Sequence, residues 1–117
     1  MRKELEERLV DFSVMIFDLS KQVDKKYYES YLINQLLRSS ASAALNYGEA
    51  QSAETRKDFI HKTGVVLKEL RESNINLKII KKSGLIMDID FLDRVLDESN
   101  QLVSIFYRTV QTAKARG

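Results

Sequence analysis

Residues 35–58, QLLRSSASAALNYGEAQSAETRKD, hold the reading on which the fold turns. The stretch opens as an apolar helix and passes into a run of tiny side chains, Ser39, Ser40, Ala41, Ser42, Ala43 and Ala44. Small residues on a helix face let a neighbouring helix approach closely. The helix then reaches Asn46, Tyr47, Gly48 and Glu49, breaks at Gln51-Ser52 and restarts as a charged helix. Ile33, Leu36 and Leu37, followed by Ser40, Ala43, Ala44 and Tyr47, make a core face that passes from large to small over about residues 28–50. Asn46 and Glu49, three apart, share one side of this helix, where a buried pair would need partners. Local hydrogen bonding around the connection is the plainer role for both. Arg38 fits an ion-pair partner better than a ligand anchor.

Upstream, Leu5, Leu9, Phe12, Ile16, Leu19 and Val23 step by 4, 3, 4, 3, 4, which predicts a helix over about residues 3–24. A second apolar line, Val10, Val14 and Phe17, lies roughly 120–180° from that seam. It marks either a helix buried on several sides within its own domain or a subunit interface. A second such stripe further along the chain favours the interface.

Downstream, Ser52 is the expected N-cap of the third helix, with Glu54 in its first turn. Phe59, Thr63, Val66, Leu70, Ser73, Leu77 and Ile80 continue the 4, 3 stepping to Gly84, the expected C-terminal cap. The polar sides are segregated. Lys57, Lys68, Arg71, Lys78 and Lys82 fall within about an 80° sector, while Glu54, Asp58, Glu69 and Glu72 lie on the opposite flank. Residues 53–83 carry eight Lys/Arg and four Asp/Glu, net +4, in a chain whose total is +2, so the remainder sums to −2. A basic flank is either a solvated face or a place for a phosphate backbone to dock. Gly64, Ile75 and Ile79 also lie off the seam. Exposed isoleucines on a charged helix ask for a partner, and Gly64 permits close approach. A last helix starting at Asp88 or Asp90 carries Leu92, Leu96, Ser99, Val103, Phe106, Val110 and Ala113 at the same spacing.

Four helices with short links predict an all-α, up-down-up-down antiparallel four-helix bundle, one domain over residues 1–117. The chain has no cysteine and no proline. Its start is charged where a secretory leader needs an apolar core, and no apolar run reaches membrane-spanning length, which points to the cytoplasm. Asp58-x-x-His61 has the spacing of a di-iron bundle ligand pair, but His61 is the chain's single histidine and sits roughly 160–200° from the seam. With no glycine-rich phosphate loop either, the expectation is a non-enzyme without metal or cofactor.

The run RSSASAALNYGE at residues 38–49, with Ser52, Asp58-Phe59 and KEL at 68–70, resembles the 23S rRNA intervening-sequence proteins. That group is related to the accessory variability determinant of diversity-generating retroelements. The matching positions are Arg38, Ser39, Ser42, Asn46, Glu49, Phe59 and Leu70, and helix order and lengths fit over nearly the whole chain. Many relatives carry proline where Ala43 and Ala44 stand and glycine where Ala50 stands, so the second helix is expected to be straighter here. The resemblance implies a ring-shaped homopentamer and, in the retroelement branch, a basic surface that binds nucleic acid and a reverse transcriptase. On this reading Val10, Val14, Phe17, Gly64, Ile75 and Ile79 form the oligomer interface. Lys57, Lys68, Arg71, Lys78 and Lys82 meet RNA or DNA, and Arg38, Ser42, Asn46 and Glu49 are structural. The alternative is an oligomeric scaffold or adaptor for another protein, without nucleic acid.

Overall fold

Four helices follow one another along the chain: α1 (Arg2–Ser20), α2 (Tyr27–Gln51), α3 (Arg56–Ser83) and α4 (Ile89–Arg116). The computed structural model describes residues 2–23 and 27–116. The backbones of α1 and α2, α2 and α3, α3 and α4, and α4 and α1 run side by side, while among the described residues those of the diagonal pairs stay apart and meet only through core side chains. A square, antiparallel bundle results, 45 × 22 × 21 Å. Its long axis matches the roughly 42 Å expected of 28 helical residues. No described helix is long and apolar enough to cross a membrane.

The helix boundaries differ from the sequence expectations in ways that hydrogen bonds explain. After Ser20, Lys21, Gln22 and Val23 donate backbone N–H groups three residues back, tightening the end of α1. The expected terminus at Asp24 lies outside the described residues. The N-cap of α3 is Thr55, not Ser52, because Ser52 and Ala53 still donate back to Glu49 and Ala50 and belong to the last turn of α2. Thr55 has extended backbone and its hydroxyl accepts the Asp58 N–H at 3.0 Å. Glu54 therefore precedes the cap, and Asp58 is the acid in the first turn, where the helix dipole favours it. At the other end Gly84 adopts φ +73°, the left-handed conformation that spares a residue without Cβ, and its N–H reaches Lys81 O. Asp88 caps α4 by accepting the Phe91 N–H at 3.1 Å.

The seams close on one core. Leu9, Phe12, Ile16 and Leu19 of α1 meet Leu36, Ala43 and Tyr47 of α2, Val66, Leu70 and Leu77 of α3, and Leu92, Leu102 and Phe106 of α4. Tyr47 packs edge-on against Phe106 with ring centroids 5.2 Å apart. The small residues of α2 let hydroxyls stand in place of bulk. Ser39 and Ser73 are fully buried and share a hydrogen bond at 2.8 Å, and each also donates to or lies near a carbonyl of its own helix. Buried Asn74 donates to Ser99 at 3.0 Å and to Asn100 at 2.8 Å, tying α3 to α4. Every member of this polar layer has a partner, so its burial carries little penalty and it restricts how the helices can slide.

Candidate functional site

The four family-motif residues do not gather into one cluster. Arg38 projects from α2 across to α3, bonding Glu69 at 3.0 Å and Glu72 at 3.2 Å. The Glu69 side chain is only 7% exposed, so Arg38 is the ion-pair partner that the sequence suggests. Asn46 donates to the carbonyl and hydroxyl of Ser42, one turn back, at 2.9 and 3.1 Å. Glu49 is 61% exposed and makes a 3.4 Å pair with Lys62. Asn46 and Glu49 thus form no buried pair, and Asn46 makes the local hydrogen bonds that were the plainer expectation. At the end of α2 the outward carboxylate reaches the α3 surface, while Asn46 turns to its own helix.

The outer faces of α1 and α3 are different in kind from that of α4. On α1, Val10, Val14 and Phe17 are 48, 52 and 56% exposed, in a line opposite the core seam. Exposed Glu7, Asp11 and Asp18 run along the side of this stripe that turns toward α4. On α3, Ile75 and Ile79 are 57 and 44% exposed, and a Cβ built at Gly64 meets nothing within 4 Å. The outside of α4 is mainly polar, from Asp90 through Asp97, Asn100 and Ser104 to Arg108 and Gln111, with exposed Ile89 and Tyr107 standing singly rather than in a stripe.

Lys57, Lys68, Arg71, Lys78 and Lys82 are all exposed, and they share the α3 face with the apolar residues. Gly64 stands between Lys57 and Arg71, and Ile75 between Lys68 and Lys82, at seven-residue steps that keep each row on one side of the helix. Arg71 lies over the Tyr107 ring, 5.9 Å from its centroid, so the basic side of this face leans toward α4. The Glu69 and Glu72 flank turns the other way, to Arg38 of α2. None of the four lysines has an ion pair within the described chain. The two sets of α3 residues singled out in the sequence thus occupy one surface.

On the α1–α4 side, Arg8 holds Glu98 through two hydrogen bonds, 2.7 and 3.1 Å, and reaches Gln101 at 3.3 Å. The hydrogen bond to Glu98 raises the Arg8 pKa above its ordinary value, against the smaller opposing effect of burial. Among the described residues no group of three His, Cys, Asp or Glu side chains is placed to hold a metal ion, and His61 stands exposed on the outside of α3.

Comparison with known proteins places this geometry. No curated protein matches the chain. Among solved structures it is similar to a protein of unknown function from the S23 ribosomal protein family of Bacteroides thetaiotaomicron. The two share 25% identity with a TM-score of 0.81, over 91% of this chain and 97% of the other. The family model described as 23S rRNA-intervening sequence protein matches residues 4–108, from the first turn of α1 to the last third of α4. The chain therefore belongs to the 23S rRNA-intervening sequence protein family.

Proposed function

We propose that this protein is a non-catalytic, self-assembling bundle in which the α1 face of one copy packs on the α3 face of the next. Such a head-to-tail contact closes into a ring when the rotation per copy permits, a pentamer in the arrangement the resemblance implies. One observation carries the reading: the two exposed apolar stripes have oppositely charged flanks. Val10 and Val14 are edged on the α4 side by Glu7 and Asp11, unpaired among the described residues, while at Phe17 Lys21 lies over the ring and pairs with Asp18; Ile75 and Ile79 are edged by bases. Apolar area supplies the drive for such a contact, and the charges align it and disfavour α1 on α1 or α3 on α3. A partner helix over Ile75 and Ile79 also covers Lys68. Arg71, Lys78 and Lys82, nearer α4, remain at its edge, where nucleic acid meets them repeatedly around the ring.

Light scattering at micromolar concentration tests the assembly. The wild type is expected as a multimer, and Val14→Glu as a monomer with unchanged helix content. A monomeric wild type would end this reading. A gel shift at low and moderate salt tests the basic edge, comparing wild type with an assembled Arg71/Lys78/Lys82→Glu variant. Equal binding by both, or none by either, removes nucleic acid from this face. Leu45, 69% exposed on α2 and outside both faces, favours a second reading as an adaptor for a protein, such as the reverse transcriptase partner of the retroelement branch.

A further inference from the structure

Where α2 turns into α3, the α1–α4 seam opens into a cleft of about 910 Å³. Its apolar lining comes from Leu5 of α1, Phe59 of α3 and Ile105 and Ala113 of α4. Four arginines from three helices stand around it: Arg8, Arg56, Arg108 and Arg116. Arg8 is already held by Glu98 and Gln101, and so acts as a fixed wall. The other three have no carboxylate partner among the described residues. Glu4 and Glu54 also line the cleft, yet neither is ion-paired to these guanidiniums. Arg56 is the first residue of α3, so an anion beside it also meets the positive end of that helix dipole.

A ligand suited to this cleft needs an anion for the guanidinium forks and a flat apolar body for the floor. Planar guanidinium groups match phosphate better than ammonium groups do, and they stack on rings as well. A nucleotide has both parts in one unit. Only an unpaired nucleotide offers its base face, since a duplex keeps base faces within the stack. The volume lies within the range of small-molecule sites. We infer that this cleft is a nucleotide site, taking phosphate on Arg56 and Arg108 and the base on the Phe59 and Ile105 floor. The occupant is an unpaired nucleotide, free or within a single strand. The single-strand form rests on the nucleic-acid reading above, but not on the α3 flank. Leu5 and Arg8 sit on the side of α1 that faces the core and α4, away from Val10, Val14 and Phe17, so the cleft lies beside the apolar ring contact and not beneath it.

The test uses a fluorescein-labelled ten-nucleotide single-stranded RNA at low salt, with AMP, inorganic phosphate and a polyglutamate peptide as competitors. Three proteins are compared: wild type, Arg56→Gln/Arg108→Gln, and Arg71→Gln/Lys78→Gln/Lys82→Gln. Both variants change exposed side chains, and circular dichroism and scattering verify that each folds and assembles. The cleft variant is expected to bind RNA at least tenfold more weakly, with a salt slope shallower by about 1.4 for two lost phosphate contacts. The flank variant is expected to lose RNA affinity too, since that edge also meets the strand, while the AMP concentration that displaces half of the bound RNA stays within threefold of wild type; AMP is expected to compete far better than phosphate or polyglutamate. RNA binding unchanged in the cleft variant overturns the cleft site while leaving the nucleic-acid reading intact. AMP binding without RNA binding upholds the cleft and sinks that reading. Competition by polyglutamate equal to AMP overturns the nucleotide assignment in favour of an acidic peptide, and no binding of either nucleotide probe overturns both.

Discussion

Replacing Arg38 by alanine isolates the one motif residue that reaches a buried charge. The substitution leaves the Glu69 carboxylate, 7% exposed, without its guanidinium, and frees Glu72 on the surface. Hydrogen bonds to charged groups contribute about 1.5–3 kcal/mol, and a buried acid stripped of its partner costs a similar amount. Arg38 itself is 54% exposed, so water takes over part of the lost solvation and discounts that range to about 1–2 kcal/mol. For a domain of this size that lowers Tm by about 4–8 °C. Thermal unfolding is followed by circular dichroism at one fixed protein concentration, because assembly makes Tm depend on it. The cycle is completed with Glu69→Met, which removes the buried charge at similar volume. In that background Arg38→Ala should cost under about 0.5 kcal/mol, since only the exposed Glu72 pair is left. A Tm within 1 °C of wild type for Arg38→Ala, or equal losses in both backgrounds, would refute the argument that Arg38 neutralises Glu69.

Other outcomes follow from the same geometry. Gly64→Ala should stabilise the isolated fold by about 0.5–1 kcal/mol, since the added methyl meets nothing within 4 Å and helix propensity improves. If the same variant weakens assembly in sedimentation, close approach at Gly64 is established; stronger assembly would argue against it. Thr55→Ala removes the acceptor of the Asp58 N–H and should cost about 1 kcal/mol in chemical denaturation. Gly84→Ala should cost about 1 kcal/mol from its φ of +73° alone, and Gly84→Asn should recover part of that. Glu49→Ala, at an exposed 3.4 Å pair, should shift stability by under about 0.5 kcal/mol, whereas Asn46→Ala loses two hydrogen bonds to Ser42 and should cost more.

The four-helix order, the seam residues and the glycine stop at residue 84 were legible from spacing alone. Periodicity is a local property: Leu9, Phe12, Ile16 and Leu19 share a side of their helix whatever surrounds it. Exposure of Val10, Val14, Phe17, Ile75 and Ile79 follows from the same rule, since each lies opposite its seam. Helix starts were less legible, because Ser52 and Thr55 are equally good capping types and the choice depended on how far α2 continued its backbone bonds. What the linear pattern did not contain was the azimuth of each helix against its neighbours. Side-chain fit in the assembled bundle sets that rotation. It turned Glu69 into contact with Arg38 and Asn74 toward Ser99, polar residues beside the seam that carry no periodic signal of burial. It also brought Leu5, Phe59 and Ile105, up to a hundred residues apart in sequence, onto one floor with Arg56 and Arg108 at its rim. Sequence determined the helices and their apolar sides, and tertiary packing determined which polar groups meet, because a face is encoded within one helix while a contact needs two.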